Sequence, residues 1–404
     1  MSEMTFRERM ICAMKGGTPD RVPAAPDISN MIPCKLTGKP FWEIYHHNNP
    51  PLWEAYINAV RTYGIDGWFT YGQLDYTYPF SIPERREVLS KTADRLTVRH
   101  TYETPKGELS RVMVYLSDNP PTNVEKPIKD LKDDLEKFAY LLQIPSGYNR
   151  EVFSFQKKSL GKNGIMCVPA MAPGLHTLVD YFEGGLEAIT YALYDYPDLF
   201  EELIEIFHKR SVKECEMSID AGTDSILTGG SGSITLASPE LWRKFSLPTI
   251  KTVTHMCREA GVISGIHSCG IEMCMVEACA NETELDYINP LEISPMGDCS
   301  LKQAREKAGK RLCLMGNLNT PQLMLYGTAN QVRLESLRAI LDAGRDGAFV
   351  LSTGDQCGRD TPEENLRAMV EIVQEFGEYP LNVSRIESEI TRLSEDESCL
   401  VCST

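Results

Sequence analysis

Val262-Ile263-Ser264-Gly265-Ile266-His267-Ser268-Cys269-Gly270 is the stretch on which the fold is decided. Residues 262–267 are a short run rich in apolar and β-branched side chains, bounded by Gly261 before it and a polar turn after it, which predicts a buried strand. Residues 238–260, just upstream, carry helical periodicity behind a Ser238-Pro239 start. The same unit of helix, strand and polar turn recurs outward in both directions. Further strand runs lie at 21–28, 66–71, 164–170, 224–228, 287–291, 311–316 and 347–352. Helical periodicity falls between them at 51–63, 199–221, 301–308, 331–343 and 362–376. Strand-helix alternation implies parallel pairing with right-handed crossovers. Eight such units predict an α/β fold of the closed (β/α)8 TIM barrel type. A doubly wound sheet would call for a Gly-rich phosphate loop after an early strand, and the sequence has none.

Residues 84–145 interrupt the rhythm. Two alternating runs around Pro105-Lys106-Gly107 predict a β-hairpin, and 129–142 reads as an amphipathic helix. This hairpin-plus-helix insertion falls between barrel strands 2 and 3, where it would cover one mouth or meet a partner. With no linker or repeat, residues 1–404 read as one barrel domain.

The formal net charge of -16 excludes a nucleic-acid or anionic-membrane surface, since both recruit excess Lys and Arg. A small-molecule or protein partner is expected instead. There is no apolar run of membrane-spanning length and no signal-like N-terminal run, so the expected location is cytoplasmic. Thirteen cysteines in a chain this large read as reduced thiols, most of them core filler.

Position selects the exceptions. Reactive groups in a barrel come from the C-terminal ends of its strands. The fifth strand ends in His267-Ser268-Cys269, and residues two apart on an extended chain point the same way, so imidazole and thiolate can share a zinc. The eighth ends in Gly354-Asp355-Gln356-Cys357-Gly358, where Cys357 is the preferred third ligand and Asp355 stays open. Glu292 after the sixth strand and Asn317 after the seventh could converge on the same rim, where Glu292, Asp355 and Asn317 are the candidate catalytic residues and Glu292 is either a further ligand or an acid/base group. Three protein ligands would leave a fourth position open, as in catalytic zinc. His255-Met256-Cys257 repeats the pattern inside a helix, where the two side chains diverge. Cys274, Cys279, Cys399 and Cys402 carry no comparable context. Trp68, Phe69, Tyr71, Tyr76 and Tyr78 read as core first and as a pocket for a planar substrate second.

Phe6-Arg7-Glu8-Arg9, Pro19-Asp20-Arg21-Val22-Pro23, Ser238-Pro239, Met315-Gly316-Asn317 and Thr361-Pro362-Glu363-Glu364-Asn365 resemble the uroporphyrinogen decarboxylase superfamily over nearly the full chain. His267-x-Cys269-Gly270 is similar to its zinc-dependent corrinoid methyltransferase branch. The resemblance implies the barrel, zinc, and a separate cobalamin-carrying corrinoid protein docking over the barrel mouth. The decarboxylases grip substrate carboxylates with an Arg-rich N-terminal segment, whereas this chain has no arginine between Arg21 and Arg61. The function expected is therefore methyl transfer from a small methylated substrate, a methoxylated aromatic first, to corrinoid cobalt. Alternatives are transfer from methylcobalamin to a thiol, a decarboxylase-like lyase, and a non-catalytic corrinoid-binding protein with structural zinc. A homodimer stays open.

Overall fold

Seven of the eight predicted strand segments pair in one all-parallel sheet, in the computed structural model, which describes residues 3–401. In sheet order these are Gly67–Phe69, Gly164–Pro169, Ser225–Gly229, Ile263–His267, Tyr287–Asn289, Cys313–Leu318 and Phe349–Thr353. The predicted strand at 21–28 is reduced to two isolated bridges, Ala24 to Leu351 parallel and Arg21 to Glu378 antiparallel. Pro23 and Pro26 remove the N–H donors a ladder needs, so pairing stops after a few bonds. Those few close the circle. Ala25 N donates to Leu351 O at 2.9 Å, Leu351 N to Pro23 O at 3.0 Å, and Asp66 N to Ala24 O at 2.8 Å. The sheet thereby curls into an α/β barrel.

Alternation along the strands fills the interior. Ala25, Trp68, Ile165, Cys167, Leu227, Ile263, Tyr287, Cys313, Met315 and Val350 form one buried cluster, joined by Met10, Ala13 and Met14. Those last three belong to the Phe6–Met14 helix, started by a Thr5–Glu8 capping box. Its apolar face closes the N-terminal end of the barrel. Gly265 has to be glycine, because a Cβ there would sit 2.0 Å from Tyr287 Cζ. The tyrosine ring instead crosses the interior, and its hydroxyl accepts from Trp68 Nε1 at 2.9 Å.

Helices follow the strands, among them Pro197–Ala221, Leu301–Ala308, Ala329–Ala343 and Glu363–Phe376. The predicted helix at 238–260 is two, Pro239–Phe245 and Leu247–Ala260. The break falls at Ser246, whose hydroxyl donates to Pro173 O at 2.7 Å, just before Pro248, which lacks an N–H. Ser238 caps the first by accepting from Leu241 N at 3.2 Å.

The insertion lies between the 67–69 and 164–169 strands, as expected, but is larger than one hairpin. Glu84–Lys91, Arg95–Thr104, Gly107–Leu116 and Thr122–Glu125 make a four-stranded antiparallel sheet, followed by the Leu131–Ala139 helix. The two outer strands escaped the sequence reading because they are almost wholly exposed and carry no apolar alternation. Leu109, Leu131, Leu135 and Phe138 pack against Leu175, Phe182, Phe200 and Leu203. The insertion thus rests on the helices that follow the 164–169 strand. Among the described residues no helix is long and apolar enough to cross a membrane.

Candidate metal centre

Register builds the site. His267 ends its strand between Gly229 on one neighbour and Asn289 on the other. Gly229 packs closely there at φ +81°, where a Cβ would sit 2.9 Å from Ile266 Cγ2 and 3.0 Å from His267 O. Asn289 is fully buried and accepts from His267 Nδ1 through Oδ1 at 2.7 Å. The amide cannot be turned round, because Asn289 Nδ2 donates to Met315 O at 3.3 Å. Nδ1 therefore carries the imidazole proton, and Nε2 presents its lone pair to the rim.

That lone pair faces two further donors. Cys269 Sγ lies 3.2 Å from His267 Nε2 and 3.3 Å from Ser231 Oγ. Asp355 Oδ1 lies 3.8 Å from the same nitrogen. Among the described residues His267, Cys269 and Asp355 are the one trio whose nitrogen, sulfur and oxygen atoms all fall within 4.8 Å of one another. Their chemistry suits a borderline divalent ion such as zinc. All three are partly exposed, so a small molecule can reach them. Burial, followed by the charge of Asp355, pushes the Cys269 thiol up from its ordinary value. A divalent cation would reverse that balance.

Asp355, not Cys357, is what the structure brings to His267 and Cys269. Cys357 is fully buried in the main apolar cluster, and its N–H is held by Asp27 O at 2.8 Å. Burial and then Asp27 raise its thiol to about 12. Asp355 adopts φ +103°, a conformation costing on the order of 1–3 kcal/mol in a non-glycine residue. Strand parity does not survive such a turn. Two residues that would share a face in a strand here point to different surroundings.

Glu292 stands beside the trio. Its Oε2 accepts from Gly270 N at 2.5 Å, and burial lifts its carboxyl above the usual carboxylate range, with the charge of Asp355 adding to the effect. Fully buried Glu272 supports that turn by accepting from Leu291 N at 2.8 Å. Asn317 stands near the end of the neighbouring Cys313–Leu318 strand and is buried. Its Nδ2 donates to Cys299 O at 3.4 Å, and it lines a separate cavity of about 760 Å³ with Asp298, Asn319 and Arg338. Trp68 is buried with its ring centroid 6.2 Å from that of His267, while Phe69 is core and Tyr78 is exposed.

The other His and Cys positions differ in their surroundings. His255 is 64% exposed and pairs with Glu284, whereas Cys257 is fully buried. Cys274 is exposed and Cys279 buried. Cys402 lies outside the described residues, as does the side chain of Cys399.

Sequence reasoning missed Asn289, Ser231 and Asp27. Asn289 had a signal, a polar residue ending the strand next to that of His267. So did Ser231, in Gly229-Gly230-Ser231-Gly232 at a strand end. Asp27 had none. It is buried within electrostatic reach of His267, with burial raising its carboxyl. Replacing Asn289 with alanine is expected to lower zinc affinity roughly 10- to 100-fold, as loss of a ligand's supporting hydrogen bond does. A chelator-competition titration checks this, and Asn289→Asp, which keeps an acceptor, should lose less.

Residues 112–376 match the family Uroporphyrinogen decarboxylase (URO-D). The chain belongs to that family. It is 26% identical over 190 residues to Methylcobamide:CoM methyltransferase MtaA of Methanosarcina barkeri, covering 44% of this chain and 50% of that protein. The chain thus spans half the length of that relative. It is also 27% identical over 288 residues to Uroporphyrinogen decarboxylase of Protochlamydia amoebophila (strain UWE25), covering 66% of this chain and 71% of that one. A solved methyltransferase from Methanosarcina mazei superposes with a TM-score of 0.64 at 20% identity, over 93% of this chain and 99% of the other. That likeness is one of fold.

Proposed function

We propose that the protein moves a methyl group from a small methylated molecule to the cobalt of a corrinoid carried by a partner protein, using zinc held by His267, Cys269 and Asp355. The observation that carries this reading is the meeting of imidazole, thiol and carboxylate donors within 4.8 Å at the barrel's C-terminal rim. Three protein donors leave a position for substrate. Bound zinc would supply Lewis-acid chemistry, drawing charge from the oxygen or sulfur that gives up its methyl group.

The chain's own groups do the rest. Asn289 fixes the imidazole tautomer. Cys269 as thiolate and Asp355 as carboxylate match a divalent charge. Glu292 has Oε2 engaged by Gly270 N–H and a carboxyl raised by burial, leaving Oε1 to hold a proton for the departing anion. A methoxylated aromatic is the donor class proposed first; the Trp68 ring lies 6.2 Å from that of His267 but is buried in the barrel interior.

Likeness to a methylcobamide:CoM methyltransferase over part of the chain favours a second reading, in which the methyl group passes from a methylated corrinoid to a thiol. Decarboxylation is disfavoured. Arg7, Arg9 and Arg21 are committed to Asp224, Asp20 and Asp66, next to the starts of the strands and away from the rim.

The test mixes the zinc-loaded protein with a Co(I) corrinoid and a panel of methoxyaromatics, methylamines and methyl thiols. A methylcobalt absorption band with one donor class is expected. Activity only from methylcobalamin to a thiol would establish the second reading. No turnover in either direction, with zinc held by four protein ligands, would leave the metal a structural role.

Zinc requires the Cys269 thiolate, and burial favours the protonated thiol. Binding therefore releases a proton, and rising pH strengthens it. Apparent zinc affinity should climb about tenfold per pH unit near neutrality, read by competition with a chelator of known pH dependence. A flat profile would speak against thiolate ligation.

A further inference from the structure

We propose that Thr353 is a positioning residue for the third metal ligand, holding Asp355 at the rim through a hydroxyl that ties the last barrel strand to the turn after the closing segment. The proposal rests on Asp355 being a ligand, as read above.

Thr353 is the last residue of its strand and is fully buried. Its Oγ1 donates to Asp355 O at 2.7 Å and accepts from Asp27 N at 3.0 Å. A hydroxyl has one proton. That proton is committed to Asp355, so the bond from Asp27 falls on a lone pair, and the direction of both bonds is fixed. Two main-chain bonds complete the frame: Gly354 N donates to Leu318 O at 2.7 Å, and Cys357 N to Asp27 O at 2.8 Å. Between these anchors Asp355 is held at φ +103°, which an aspartate does not keep unless its surroundings impose it.

The location gives the hydroxyl its leverage. The closing segment meets the last strand through one bridge, Ala24 to Leu351, so main-chain pairing alone fixes this seam weakly. Asp27 lies just beyond that bridge on one side and Thr353 on the other. The Thr353 hydroxyl thus extends the seam to the rim and sets where the Asp355 carboxylate stands relative to His267 Nε2, 3.8 Å away. It also separates the two rival ligands. Asp355 leaves the frame toward the rim, and Cys357 leaves it into the core.

The experiment is a Co(II) titration of metal-free protein followed by absorption, comparing T353V, T353S and D355A with the unaltered chain. T353V is nearly isosteric but lacks the hydroxyl. Its Co(II) affinity should fall 10- to 100-fold with an altered ligand-field band, while the thiolate charge-transfer band from Cys269 persists. T353S keeps the hydroxyl and should stay within a few-fold of the unaltered chain in affinity, with the same spectrum. Circular dichroism reports folding. Should T353V not fold, T353A, which leaves room for water at the Asp27 amide, is expected to show the same loss. Unaltered affinity and spectrum in the variant lacking the hydroxyl overturn the proposal, as does an equal loss in T353S, which would trace the effect to the methyl group. D355A separates the two ideas. If D355A binds as tightly as the unaltered chain, Asp355 is not a ligand and the underlying reading fails. If D355A loses affinity while T353V does not, only the role of Thr353 fails.

Discussion

Exchange of His267 or Cys269 for alanine is expected to abolish stoichiometric zinc binding and to lower methyl transfer by at least roughly 10³-fold, the scale set by losing preorganised charge stabilisation at a reacting atom. The physical reason is the geometry of the trio. His267 Nε2 stands 3.2 Å from Cys269 Sγ and 3.8 Å from Asp355 Oδ1, and removing either His267 or Cys269 leaves only two donors. Metal content by elemental analysis and turnover with the active donor check the outcome together. His255→Ala and Cys257→Ala make the control, because that pair diverges on a helix and should retain full zinc. Equal zinc in the His267 variant and the unaltered chain would contradict the site.

The largest expected loss of stability lies at the opposite end of the barrel. Arg9 is 3% exposed and donates to Asp20 at 2.7 and 2.9 Å, to Asp66 at 2.8 Å and to Met4 O at 2.8 Å. Asp66, fully buried, also accepts from Ala24 N at 2.9 Å and so anchors the closing segment. Arg9→Met would fill the volume but leave Asp66 with the Ala24 N–H and, as its charged partner, only the half-buried Arg21 at 3.2 Å. Breaking a buried pair in this way costs about 3–5 kcal/mol. A denaturant titration should show the midpoint falling without a change in slope. Zinc affinity under native conditions should not change, since the site sits at the other end. A loss below about 1 kcal/mol would mean that Arg21 and solvent compensate.

How far the sequence reveals this molecule depends on which signal each residue leaves. The strand at 263–267 and its polar end are legible because an apolar run bounded by glycine reports burial on both faces, and a barrel puts every strand end on one rim. His267 and Cys269 follow from that alone. The closing segment misleads, since β-branched composition around Val22 suggests a strand while Pro23 and Pro26 stop the ladder. The insertion is half visible for a related reason: strands with a buried face alternate, and outer strands of charged residues do not. Choosing between Asp355 and Cys357 needs the backbone. A positive φ at Asp355 breaks the two-residue period, and no local pattern announces it. The surroundings of Asn317 were likewise not legible. Its position at a strand end is as expected, but its amide turns to Cys299 O and a neighbouring cavity. Asn289 was within reach, because its register partner is His267. Asp27 was not, since its proximity to the site comes from barrel closure rather than from any local spacing.

Zinc K-edge X-ray absorption on the purified zinc-loaded protein tests the metal centre most directly. One sulfur at roughly 2.3 Å, with nitrogen and oxygen neighbours at roughly 2.0–2.2 Å, is expected from His267, Cys269, Asp355 and an exchangeable fourth donor. Two sulfurs would put Cys357 in the place given to Asp355, and no bound zinc at all would contradict the metal centre itself.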